Sequence, residues 1–110
     1  MSLFIKKAAA LAALLVLPAP GALATSGPGC LVVVNVAYDD ALNVRERPSA
    51  SSRIVDILPP GRHGIIHLDA RCEPLSRPWG SRWCPITHYS GDRTTSGYVK
   101  ARYVRDSDCP

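Results

Sequence analysis

The sequence predicts an all-β domain, a small barrel of five to six short strands stapled by disulfides. Three observations carry that expectation. Short apolar, β-branched segments recur roughly every 8–14 residues between clusters of Pro, Gly, Ser and Asp, the spacing of small sandwiches and barrels. After residue 24 no segment sustains the 3.6-residue period of an amphipathic helix. All 4 cysteines also lie beyond that point.

Residues 1–24 stand apart as an export leader. Lys6 and Lys7 precede an apolar run from Ala8 to Leu17, and Pro18-Ala19-Pro20-Gly21 breaks it. Ala22-Leu23-Ala24 then places small residues at the two positions that signal peptidase reads. The ten-residue run would reach only about 15 Å as a helix, half of a bilayer core. Cleavage after Ala24 is therefore expected, with no stable membrane anchor afterwards and a periplasmic or secreted product. No twin arginine precedes the run, which favours the general secretion route. Cys30, within Gly27-Pro28-Gly29-Cys30, is too distant from the run for a lipoprotein site. The remaining unit, residues 25–110, suffices for one small domain with its core over about 31–104, and no hydrolase domain accompanies it. That size excludes Rossmann, P-loop and TIM-barrel enzymes.

The elements follow in order. Leu31 to Val36 is β-branched and apolar, a buried strand. Tyr38-Asp39-Asp40 turns the chain, and Ala41-Leu42-Asn43-Val44 alternates with period two. Arg47 to Ser52 is a polar loop, because Pro48 cannot donate to a ladder and serines favour turns. Ile54 to Leu58 is the next strand, with Ile54, Asp56 and Leu58 on one face and Val55 and Ile57 on the other. Pro59-Pro60-Gly61 closes it, and Ile65 to Leu68 forms another strand. Asp69 to Arg82 contains Pro74, Pro78 and Gly80 without periodicity and is a long loop. Trp83 to His88 is a strand ending at the Ser90-Gly91-Asp92 turn. Gly97-Tyr98-Val99 and Tyr103-Val104 are short closing strands joined by one helical turn.

Four cysteines permit three pairings. Cys30 opens the folded region and Cys109 is penultimate, so Cys30–Cys109 would tie the termini; Cys72–Cys84 would then pin the long loop. In the chain-entropy model the short loop contributes about 3 kcal/mol and the long one about 4–5. Such staples suit an exported domain with a small core. The competing use of thiols is a metal site of His63, His67, Cys72 and Cys84, but neither C-x-x-C nor H-E-x-x-H is present. No metal or other cofactor is expected.

Charge argues against nucleic acid. Setting Lys6 and Lys7 aside from the 13 Lys and Arg, against 9 Asp and Glu, leaves a net charge of +2. Those cations are nearly all arginine, scattered among acids rather than gathered into a basic stripe.

A family resemblance now emerges. Ala41-Leu42-Asn43-Val44-Arg45-Glu46-Arg47-Pro48-Ser49 resembles the L-N-V-R-x-x-P-S signature of bacterial SH3-like (SH3b) domains. Ile54-Val55-Asp56-Ile57-Leu58, Pro60-Gly61, Trp83-Cys84-Pro85-Ile86, Gly97-Tyr98-Val99 and Ala101-Arg102-Tyr103-Val104 resemble later family elements in the same order. The likeness spans about residues 31–104. Two departures are the longer Asp69–Arg82 segment and Cys84 in place of a bulky residue. The resemblance implies an SH3-like barrel acting as a monomeric, non-catalytic binding module for cell-wall peptide, peptidoglycan or an envelope protein. It also implies that Asn43 organises a loop by hydrogen bonding and that Cys84 faces inward. The alternative from another class is a secreted, disulfide-stabilised effector or inhibitor that blocks a protein partner.

Candidate ligand residues follow from the aromatics and one cation. Shallow grooves for extended peptides use flat rings. With Cys84 and Ile86 inward, Trp83 projects to the other face and is the leading contact, accompanied by Tyr98 and Tyr38, with Arg45 as an anion clamp. Trp79 sits beside Pro78 as an anchor of its loop, and Tyr103 as cover for the closing strands. An enzyme would need a supported nucleophile or base. His63, His67 and His88 lack an acid at a telling spacing and are expected as solvated surface residues, and no G-x-S-x-G or phosphate loop occurs, so no catalytic residue is assigned.

Overall fold

A computed structural model describes residues 29–110. The expected leader over 1–24 and its cleavage after Ala24 lie outside the described residues. Seven strands follow: β1 (Cys30–Val33), β2 (Leu42–Arg45), β3 (Ile54–Leu58), β4 (Ile65–Leu68), β5 (Trp83–Ser90), β6 (Arg93–Lys100) and β7 (Val104–Ser107). Single 3₁₀ turns occupy Trp79–Ser81 and Ala101–Tyr103. All pairings are antiparallel, in the order β3-β2-β6-β5-β4-β1-β7. The all-β class and the disulfides hold; the sheet has seven strands rather than the expected five to six and is not closed into a barrel, with β3 and β7 at its edges.

The sheet nevertheless curls strongly. Leu31, Leu42, Leu58, Ile66, Ile86, Val99 and Val104 come from all seven strands and share one core. Asp56 of β3 touches His88 of β5 although β2 and β6 intervene in the ladder, which only a curled sheet permits. Gly97 makes the curl possible. A Cβ there would lie 2.6 Å from both the Arg45 carbonyl oxygen and Val44 Cγ1, so only glycine lets β2 cross β6 this closely.

Several segments depart from sequence expectation for identifiable reasons. β1 stops at Val33 because Asn35 takes φ 59°, a left-handed conformation, and Val34 N–H instead donates to the Tyr103 carbonyl. In β3 the expected two-face alternation fails. Val44 pairs with Asp56 while Arg45 pairs with Ile54, so Val55 is the extra residue of a bulge. Leu58 is fully buried, Val55 packs on the core, and Ile54 and Ile57 are exposed. β6 begins at Arg93 rather than Gly97, and β7 runs to Ser107. Their polar side chains conceal ladders made entirely by backbone groups.

Two disulfides tie the fold: Cys30–Cys109 beside the β1–β7 pair, and Cys72–Cys84 across the long loop. No thiol is free, so the metal arrangement of His63, His67, Cys72 and Cys84 is not formed. Among the described residues no helix is long and apolar enough to cross a membrane.

Candidate functional site

β2, β5 and β6 bring the outward residues of the curled sheet to one side. Cys84, Ile86 and Val99 are fully buried, so alternation sends Trp83, Pro85, Tyr98 and Lys100 to the opposite face. Trp83 stands opposite Lys100, and Pro85 opposite Tyr98. Tyr98 in turn stands opposite Arg45 of β2. An open groove of about 580 Å³ runs along this side, walled by the β1–β2 connection, β2 and the turn after β6.

Of the four candidate ligand residues, Trp83 and Arg45 line the groove. Tyr98 does not; it is half-buried beside it, between Arg45 and Pro85. Tyr38 does not either. It is 72% exposed on the β1–β2 turn, with the Arg62 guanidinium 5.0 Å from its ring centre. Sequence reading missed Lys100 and Arg102, which complete the basic wall of the groove. Their signal was present in the register of β6 against Trp83, but the length of β6 had to be known to use it.

The cations are held by neutral partners. Arg45 donates from Nη1 to the Ser52 carbonyl at 3.1 Å, and Lys100 Nζ sits 4.8 Å above the Trp83 ring. Arg102 donates from Nε to the Gly80 carbonyl at 3.3 Å, while its own carbonyl accepts from the Asn35 amide at 2.8 Å. Asp40 is the one carboxylate on the wall, and its Oδ1 accepts from Ala41 N–H. Asn43, expected to organise a loop, is exposed on the groove wall. Loop organisation falls to Ser52 instead: its hydroxyl accepts from Arg47 N–H at 3.1 Å and faces the Arg47 carbonyl at 3.0 Å.

A second polar cluster lies on β3 and β5. His88, expected at the surface, is 6% exposed. Its Nδ1 faces Asp56 Oδ2 at 2.7 Å and its Nε2 faces the His63 carbonyl oxygen. A carbonyl only accepts, so Nε2 carries a proton. Burial pushes the Asp56 carboxyl up, but hydrogen bonds from His88 and from Ile57 N–H, with the charges of His88 and Arg93, outweigh it and hold it below its ordinary value. Asp56 and the His63 carbonyl thus occupy both ring nitrogens of His88. His67 presents Nδ1 to Asp69 Oδ1 at 3.0 Å, while Thr87 donates its hydroxyl to Asp69 Oδ2 at 2.7 Å. Asp69 therefore separates the histidine from the hydroxyl, and no nucleophile–base contact arises there. Among the described residues no group of three or more His, Cys, Asp and Glu is arranged to hold a metal.

The long loop is the third feature. Backbone bonds between Glu73 and Trp83 clamp its base beside the Cys72–Cys84 disulfide. Arg82 spans the interior, donating to the carbonyls of Arg77 and Leu75 at 2.9 and 3.2 Å. Leu75 and Trp79 are held outward, 50% and 44% exposed, with the Arg82 guanidinium 6.0 Å from the Trp79 ring centre.

Comparisons with protein-family models, with curated proteins and with solved structures find no match.

Proposed function

We propose that this chain is an exported, non-catalytic binding module of the bacterial SH3-like (SH3b) type that recognises the peptide portion of peptidoglycan or an envelope protein. The observation that carries the reading is the groove beside Trp83. A half-buried indole, with Lys100 over its ring and β2 in the wall beside it, offers an apolar and cationic surface against which an extended peptide packs. The L-N-V-R segment supports the family likeness, since Leu42 and Val44 enter the core while Asn43 and Arg45 face the groove. Curling of the sheet around one core is compatible with an SH3-like architecture whose edges stay open. Two disulfides suit an oxidising compartment, in keeping with the export leader over 1–24.

Pull-down of the exported protein with purified peptidoglycan, beside Trp83→Ala, tests the reading. Retention of the wild type and loss of the variant are expected; absence of wild-type binding counts against a wall ligand, and equal binding by the variant removes Trp83 from the site.

The Leu75–Trp79 loop favours a second reading, a disulfide-stabilised effector or inhibitor of a protein partner. A loop held rigid before contact loses little conformational entropy on docking. Its mark is tight binding to one protein, lost in Leu75→Ala/Trp79→Ala, with no retention on sacculi.

A further inference from the structure

The cations of the Trp83 groove are positioned without being neutralised. Among the described residues the contacts between acidic and basic side chains are Arg53–Glu46, His67–Asp69 and His88–Asp56, and none of these residues lines the groove. Arg45, Lys100 and Arg102 take a backbone carbonyl, an indole face and a backbone carbonyl as partners instead. Each anchor uses one donor or one face and leaves the rest of the charged head for another acceptor. Asp40 alone opposes them, already engaged with Ala41 N–H. Like charges gathered on one wall repel, and an anion entering between them relieves that repulsion.

We infer that the groove is a receptor for an acidic peptide segment, one carrying carboxylates along an extended backbone; this rests on the peptide-binding reading above. Three features favour peptide over other polyanions. The Asn35 and Asn43 amides on the walls each offer a donor and an acceptor, matching the alternation of a peptide backbone. Nucleic acid would want a run of exposed rings for stacking, whereas Trp83 and Tyr103 are the aromatic lining residues and both are half-buried. The volume, about 580 Å³, lies within the range of compact ligand sites rather than of a long polyanion track.

Calorimetric titration of the exported protein with a capped hexaglutamate peptide, at low salt, tests the assignment against a capped hexaglutamine peptide and a six-nucleotide oligothymidylate. Hexaglutamate is expected to bind, and hexaglutamine to bind at least tenfold more weakly. Raising salt from about 50 to 500 mM should weaken the acidic peptide severalfold, because exposed charges are then screened. Lys100→Gln/Arg102→Gln should weaken it about 25-fold, at about fivefold per exposed cation. Arg53→Gln, whose partner is Glu46 outside the groove, should leave binding unchanged, and Arg102→Lys should retain most of it. Equal affinity for both peptides, no binding of hexaglutamate, tighter binding of the oligonucleotide, or full binding by the double variant each overturns the acidic-peptide assignment. The salt and peptide comparisons use the wild type alone, so a variant that fails to fold does not rescue the inference. Retention on sacculi by a protein indifferent to hexaglutamate would sink this inference while leaving the peptide-binding reading intact.

Discussion

Removing the Asp56 carboxylate should destabilise the domain more than any single surface change. The Asp56 and His88 side chains are 9% and 7% exposed and meet at 2.7 Å, and the opposite ring nitrogen is occupied by the His63 carbonyl. Asp56→Ala therefore strands a ring nitrogen without a partner in a site that water barely reaches. Breaking a buried pair by deleting one partner costs about 3–5 kcal/mol. The low end applies here, about 3 kcal/mol, because no site in so small a domain is far from solvent. Asp56→Asn removes the charge and keeps one of the two oxygens that accept from Ile57 N–H and from the ring, so a smaller loss of about 1–2 kcal/mol is expected. Urea unfolding with the disulfides intact reads both values, and thermal unfolding should show a fall of about 12–24 °C for the alanine variant. Replacing both partners by apolar residues, Asp56→Leu with His88→Phe, should recover much of the loss, since no polar group is then left unpaired. An Asp56→Ala midpoint within about 0.5 kcal/mol of the wild type would refute the reasoning, as would equal losses in the alanine and asparagine variants.

Three further outcomes follow from the same geometry. Because the folded-state pKa of Asp56 lies below its unfolded value, its stabilisation is complete above about pH 4 and lost as pH falls through the folded value; urea midpoints taken between about pH 5 and 2 should decline on the acid side, and the decline should shrink in Asp56→Asn. Gly97→Ala places a methyl group 2.6 Å from the Arg45 carbonyl oxygen and Val44 Cγ1, so a loss of about 2 kcal/mol or more is expected, far above the effect of Gly29→Ala, where a Cβ meets nothing within 4 Å; comparable urea midpoints for the two would remove close strand approach as the reason for glycine. Opening Cys30–Cys109, which spans 79 residues, should destabilise more than opening Cys72–Cys84, which spans 12, by about 4–5 against about 3 kcal/mol; paired Cys→Ala variants compared by urea unfolding check the order.

Much of the fold was legible along the chain because β structure announces itself locally. Leu31, Leu42, Val44, Ile66, Ile86 and Val99 are apolar at strand spacing, and each is buried. Turn residues at Pro59-Pro60-Gly61 and Ser90-Gly91-Asp92 marked reversals that the structure contains, with Gly61 and Gly91 at positive φ. The strands that escaped notice, Arg93–Ser96 and Arg105–Ser107, carry polar side chains, and a ladder of backbone bonds leaves no trace in side-chain pattern. The bulge at Val55 escaped for a related reason: it is a property of the pairing between β2 and β3, not of either segment alone.

The candidate site divides along the same line. Trp83 and Arg45 could be named from parity and a short motif, because each is fixed by its own strand. Lys100 and Arg102 join them only because β6 runs antiparallel to β5 through Trp83↔Lys100 and the following 3₁₀ turn brings Arg102 to the same wall. His88 reads as one more polar residue in sequence, and 32 positions separate it from Asp56. By itself, then, the sequence determined the all-β class, the inward and outward faces of β2, which residues of β5 share a face, and the glycines that turn the chain, all set by nearest neighbours. Tertiary structure alone decided the open curled sheet, the buried Asp56–His88 pair and the basic groove, because each depends on which distant strands the curl brings within a few ångströms.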